Sequence, residues 1–321
     1  MAAATRNILV FGATGLIGEH ISSAIVANKQ HFDRIALFTS TNTLWTKSDH
    51  IDSLKAQGVE IIVGDLKLAG DVNEAYNGID TVVSCVGRQV IGTQVHLVQL
   101  ADKHPDVKRF LPSEYGTDIE YGPESKDEKP HQQKLQVRAA LKQTLNLDYT
   151  YIVTGPYGDA DPGLYLSAWP ADKEAGGTFD VKRKRAVVLG DGEGKVSLTT
   201  MRDVGKLVVA ALLHPEAGKK KALRLNSFTA TPKQIVAEFE KQTGGEQWRV
   251  DSTPINQLRK MEMQARDTQD PRATAYTLRR IWTEGGTLYE KRDNELIGME
   301  DKTDTLEDAV AQAIKVQSGW H

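Results

Sequence analysis

The chain has 321 residues, 40 Lys+Arg against 43 Asp+Glu, a net charge of −3 and 40% hydrophobic residues. Such a length fits about two structural units. The charge gives no general pull toward nucleic acid or an anionic membrane, and the apolar content suits an ordered core rather than disorder. The single cysteine, Cys85, allows no internal disulfide, and no Cys/His cluster has metal-site spacing. A reducing, cytoplasmic setting is expected. The first residues lack the apolar core of a signal peptide, and the longest aliphatic run, 207–213, is far below the roughly 20 residues that span a bilayer.

In chain order, β-branched runs at Ile8–Phe11, Arg34–Phe38, Val59–Val63, Thr81–Cys85, Arg109–Pro112 and Tyr149–Val153 alternate with segments of helical spacing. The last two such segments cover about 90–103 and 128–146. Six strands with crossovers predict an α/β fold, a Rossmann-type doubly wound parallel sheet. Beyond Val153, glycine and proline clusters break the pattern and mark a smaller mixed α/β lobe. It should contain strands near 186–189 and 223–225 and a helix over about 203–213. A further helix opens at Thr231-Pro232 and closes at Gly244-Gly245, and others run over about 255–284 and 305–316. The expected division is a dinucleotide unit over 5–157 and a substrate-binding lobe over 158–321, with segments such as 196–226 able to pack back on the first unit.

Gly12-Ala-Thr14-Gly15-Leu16-Ile17-Gly18 directly follows the first strand and opens the first helix. Glycines there allow a tight turn and close approach of a pyrophosphate to the helix amino terminus. The second strand ends in Thr39-Ser40 with no carboxylate, and Lys47 follows. Hydroxyl and basic groups at this turn favour the 2′-phosphate of NADP(H) over the free 2′-hydroxyl of NAD, although Lys47 also reads as a solvated lysine. Asp65, after the third strand, is placed to touch adenine or to cap the next helix.

None of the nine tyrosines has a lysine four residues later, so the Tyr-x-x-x-Lys dyad of ordinary short-chain dehydrogenases is missing. Lys134 falls about where that dyad's lysine would stand, with His131 one turn earlier on the same face. Burial and neighbouring positive charge would make Lys134 a general base or a hydrogen-bond donor to a substrate oxygen. The alternative is a solvated helix lysine.

The glycine loop, Phe110-Leu-Pro-Ser113-Glu114-Tyr115-Gly116 after a strand, Val153-Thr-Gly-Pro156-Tyr157, and Lys134 with Arg138 together resemble the isoflavone reductase-like group of atypical short-chain dehydrogenases, within the NmrA-like superfamily and its fungal branch. The resemblance implies NADPH/NADP⁺ as cofactor and the family's single catalytic lysine at Lys134. It also implies a nicotinamide bordered by Val86, Gly87, Ser113, Glu114 and Tyr115 and covered by Pro156, Tyr157 and Gly158. Tyr157, Leu164, Tyr165, Leu166 and Trp169 would wall the substrate pocket. The expected function is NADPH-dependent reduction of a small aromatic or phenolic compound by a monomer or homodimer. The alternative is a non-catalytic NADP(H) sensor of NmrA type. The basic runs Lys182–Arg185 and Lys219–Lys221 read as solvated turns.

Overall fold

The computed structural model describes residues 4–319. Its strands are β1 (Asn7–Phe11), β2 (Arg34–Thr39), β3 (Glu60–Val63), β4 (Thr81–Ser84), β5 (Arg109–Leu111), β6 (Asp148–Val153), β7 (Thr178–Asp180), β8 (Arg185–Leu189), β9 (Val196–Leu198), β10 (Lys221–Arg224), β11 (Phe228–Ala230) and β12 (Arg249–Thr253). The helices are α1 (Leu16–Ala27), α2 (Thr41–Thr46), α3 (Ser48–Ala56), α4 (Ala69–Tyr76), α5 (Gln94–Lys103), α6 (Gln132–Lys142), α7 (Met201–Leu213), α8 (Pro232–Gln242), α9 (Ile255–Asp267), α10 (Ala273–Thr283) and α11 (Leu306–Ser318).

One seven-stranded sheet, in the order β10-β6-β5-β4-β1-β2-β3, is parallel throughout. The alternation of strand side chains sends Ile8 and Val10 into one helix-covered face and Leu9 and Phe11 into the other. The first face is filled by Ile21 and Ile25 of α1 and Val204, Leu207 and Val208 of α7; the second by side chains of α4, α5 and α6. The expected sheet of six strands is thus extended by β10, which lies in the 196–226 segment that could pack back on the first unit. Its crossover helix α7 explains the difference, because the helix buries an almost wholly apolar surface against α1 and carries the following strand back to β6.

Gly205 lets these two helices meet, since a Cβ there would lie 2.5 Å from the His20 carbonyl oxygen. Gly205→Val is therefore expected to force α1 and α7 apart and cost roughly 1–3 kcal/mol. Thermal unfolding should show this as a drop of several degrees in Tm.

The remaining strands form an antiparallel pair, β11-β9, and a mixed sheet, β12-β8-β7, packed with α8 and α11. The Thr231 capping box and the positive φ of Gly244 and Gly245 bound α8 as its sequence suggests. The long helical stretch expected over 255–284 is two helices, because Asp270-Pro271 breaks it: proline removes a backbone donor, and Asp270 turns back to bind Arg272. In the 182–185 run, Arg183 and Arg185 pair with Asp180, Glu174 and Asp251, and Lys184 pairs with Glu246. The segment is the exposed turn expected at Lys182 and Arg183, and its arginines pair with those carboxylates along its edge.

Candidate active site

At the carboxyl end of the sheet the strand order reverses between β1 and β4, the position where doubly wound folds open a crevice. A cleft of about 860 Å³ lies there. It is lined by the turns after β1, β4, β5 and β6 and is closed on the far side by α10.

The β1 turn is shaped for close approach. Gly12 has φ +73°, and a Cβ on it would come 2.6 Å from the Cys85 carbonyl oxygen. The Gly15 N–H donates to Gly12 O at 3.1 Å, and α1 starts with no side-chain cap, so its first N–H groups are left for a ligand. Gly18 has a packing role: a Cβ there would sit 2.0 Å from Gly12 O. Burial pushes the Cys85 thiol up to about 12, which leaves it protonated beneath this turn.

The turn after β5 is held from three sides. Ser113 N–H donates to Gln94 Oε1 (2.8 Å), Ser113 Oγ donates to Val86 O (2.9 Å), and Tyr115 N–H donates to Ile152 O (2.9 Å). Tyr115 adopts φ +31°, a strained conformation for a tyrosine. Around it two successive carbonyls receive donors from the cleft: Glu114 O from Lys134 Nζ at 2.5 Å, and Tyr115 O from Tyr157 Oη at 2.5 Å.

Lys134 stands on the first turn of α6. Its side chain keeps some surface toward the cleft, but its ammonium is packed around by protein, and this burial brings its pKa down to about 8. Glu114 opposes the shift, while Arg88 and Arg138 add to it. Below it, Arg138 Nε donates to Glu114 Oε1 at 2.8 Å with both side chains 2% exposed; the guanidinium also reaches Glu120 and lies 4.4 Å from the Tyr151 ring centroid. His131 is buried, with Nδ1 3.0 Å from the Ser125 carbonyl, which fixes the proton on that nitrogen; burial lowers its pKa, so the ring is neutral.

Of the residues singled out in the sequence, the cleft gathers Gly12, Thr14, Gly15, Leu16, Ile17, Val86, Gly87, Ser113, Glu114, Tyr115, His131, Lys134, Pro156, Tyr157, Leu164 and Tyr165. Thr39 ends β2 and Ser40 and Lys47 follow it; none of the three is among the residues that line the cleft. Ser40 Oγ caps α2, and Lys47 pairs with Glu19 at 3.4 Å on the surface. Asp65 accepts from Lys67 N–H in its own turn. Three residues expected at the cleft are elsewhere: Gly158 packs beside Phe228 and Leu198, Leu166 is fully buried in the core of the smaller lobe, and the Trp169 indole is buried against Tyr276 and beneath Arg279. Their place is taken by Leu278 and Trp282 of α10, which sequence reading passed over together with Arg88 and Arg279. A signal existed, because Ala275, Leu278 and Trp282 share one helix face, but such a stripe reads equally well as core.

Fold and cleft define a Rossmann-type α/β protein with a glycine turn and a buried lysine at the switch point. The chain belongs to the NmrA-like family, whose model matches residues 4–270. It is 30% identical over 246 residues to an isoflavone reductase homolog of Arabidopsis thaliana (76% of this chain, 77% of that one). It is 29% identical over 263 residues to the oxidoreductase aprR of Aspergillus flavus, covering 81% of each chain. Among solved structures, leucoanthocyanidin reductase from Vitis vinifera with NADPH superposes with a TM-score of 0.78 at 20% identity, covering 96% of this chain and 99% of that one. AtPrR2 with NADP⁺ and (+)-pinoresinol gives 0.78 at 23% identity, covering 98% and 99%.

Proposed function

We propose that the chain is an NADPH-dependent reductase of a small aromatic, phenolic compound, with Lys134 as its proton-handling group. The observation that carries this reading is the Lys134 ammonium, lowered to about 8 and facing the same cleft as the glycine turn. Cofactor binding is supported by the fit of that turn: the cradle at Gly12 admits no Cβ, and the uncapped start of α1 at Leu16 and Ile17 offers N–H groups to a pyrophosphate. Thr39, Ser40 and Lys47 would receive the 2′-phosphate, with Asp65 toward the adenine. The relatives' names and the NADPH and NADP⁺ complexes among the structural neighbours agree with this reading.

Bound NADPH supplies a hydride to an electrophilic carbon of the substrate. The chain's own residues do the rest. Glu114 O takes one Nζ hydrogen and so aims the amine. In its neutral form Lys134 accepts a proton from a phenol or enol; in its charged form it donates to the oxyanion that reduction creates. Ile119, Leu164, Tyr165, Leu278 and Trp282 exclude water from an aromatic ring.

The test is stoichiometric NADPH oxidation with a panel of phenolic compounds. Tight cofactor binding without oxidation of any compound would favour a sensor instead. Gly12→Ala is expected to weaken NADPH binding at least tenfold, as read by nicotinamide fluorescence, because its methyl group must displace either the Cys85 carbonyl or the turn itself.

A further inference from the structure

We propose that the substrate carries an acidic group, a carboxylate on the aromatic framework, and that Arg279 of α10 binds it. This inference rests on the reductase reading and names the substrate class of the same cleft.

Arg279 lines the cleft yet is only 3% exposed. Its guanidinium donates to backbone carbonyls alone: Nη1 to Gly176 O (3.2 Å) and Gly177 O (3.1 Å), and Nη2 to Leu164 O (3.0 Å). The Trp169 ring lies 4.9 Å away. Among the described residues no carboxylate is within ion-pair distance, and Nε–H and one Nη2 hydrogen have no protein acceptor. Nε and Nη2 form one edge of the planar group, the kind of edge that takes a carboxylate through two parallel hydrogen bonds. Burial lowers its pKa only to about 10, so it is charged at neutral pH.

A buried charge without a counter-ion is costly unless something compensates it. Arg109 is also buried without a carboxylate partner, but it is sealed between Thr150 and the end of α7, away from the cleft. Arg279 instead faces the space a substrate must fill. The cleft as a whole is cationic: Arg88, Lys134 and Arg279 line it, and its one acid, Glu114, is already paired with Arg138. The two cations are anchored on different elements: Lys134 of α6 donates to Glu114 O after β5, and Arg279 of α10 donates to the carbonyls of Leu164, Gly176 and Gly177. One meets the reacting oxygen and the other the acid.

The experiment titrates 4-hydroxycinnamate and its methyl ester into the full chain saturated with NADP⁺, by calorimetry. The acid is expected to bind at least tenfold more tightly than the ester. Arg279→Gln should bring the two within about twofold of each other while leaving NADP⁺ affinity unchanged. Equal or weaker binding of the acid by the unmodified protein overturns the proposal, absence of measurable binding included, and this comparison needs no variant to fold. Retained preference for the acid in Arg279→Gln also overturns it. NADPH oxidation in parallel separates the two readings. An acid that binds through Arg279 but is never reduced removes the reductase reading alone, and an ester reduced in preference to the acid removes this inference alone.

Discussion

Lys134→Ala is expected to lower NADPH-dependent turnover of a phenolic substrate by roughly 10²- to 10⁴-fold, the usual worth of a positioned proton-transfer group, with the affinity for NADPH changed little. The pH dependence gives the signature. An ordinary lysine is charged up to about 10, but burial beneath the cleft brings this one to about 8. If its neutral form is the proton acceptor, kcat rises with pH through about 8 and levels above it; if its charged form supplies the hydrogen bond, kcat falls across the same interval. Either profile should be flat in the alanine variant. A wild-type profile with no inflection between pH 7 and 9 would sink the assignment. Stability should change with pH as well. The unfolded chain binds more protons at this lysine than the folded chain does between pH 8 and 10.5, so the unmodified protein gains stability as pH rises through that window. Lys134→Met removes the buried ammonium and is expected to raise Tm at pH 7 while turnover is lost, as is common where an active site holds a destabilised group.

How much of this was legible beforehand depends on the kind of information each feature carries. The sheet from β1 to β6 is written in local pattern: short β-branched runs with both faces apolar, set at crossover spacing, with Gly12 and Gly18 where only glycine fits. Lys134 could be singled out because it falls about where the missing dyad's lysine would stand, on the helix after β5. What a sequence does not display is which far-off segment closes the cleft. Leu278, Arg279 and Trp282 are more than 140 residues from Lys134, and their placement follows from α10 folding back on α9 after Pro271 and from Trp282 Nε1 donating to Thr117 Oγ1 at 2.8 Å. Trp169 went the other way. Its aromatic neighbours in sequence suggested pocket wall, yet the Arg279 guanidinium and the Tyr276 ring offered it a better-packed site. The place of β10 was left open for a related reason: a four-residue run carries too little pattern to say which sheet it joins, and only the apolar surface of α7 decides it.

Arg138→Met should be among the most damaging substitutions in the molecule. Among the described residues it strips the buried Glu114 carboxylate of its only cation within hydrogen-bond reach and takes one of two from Asp118, whose other partner is Arg224 at 2.9 Å. Removing one member of a buried pair costs about 3–5 kcal/mol, because the charge left behind is neither solvated nor matched. Adding Glu114→Gln to that variant is expected to restore part of the loss, since the orphaned charge goes with it, and a double-mutant cycle in chemical denaturation should return a coupling of at least ~1.5 kcal/mol. The same pair sets the charge on Lys134, with opposite consequences for the two single variants. Arg138 holds the lysine pKa down and Glu114 holds it up. Arg138→Met removes a neighbouring cation and leaves the Glu114 charge unmatched, so the inflection in the kcat profile should move to higher pH. Glu114→Gln removes the carboxylate and should move it lower. A merely structural role for the pair would lower activity in both variants without displacing the inflection, so shifts of opposite sign are the result that ties the buried ion pair to the chemistry above it.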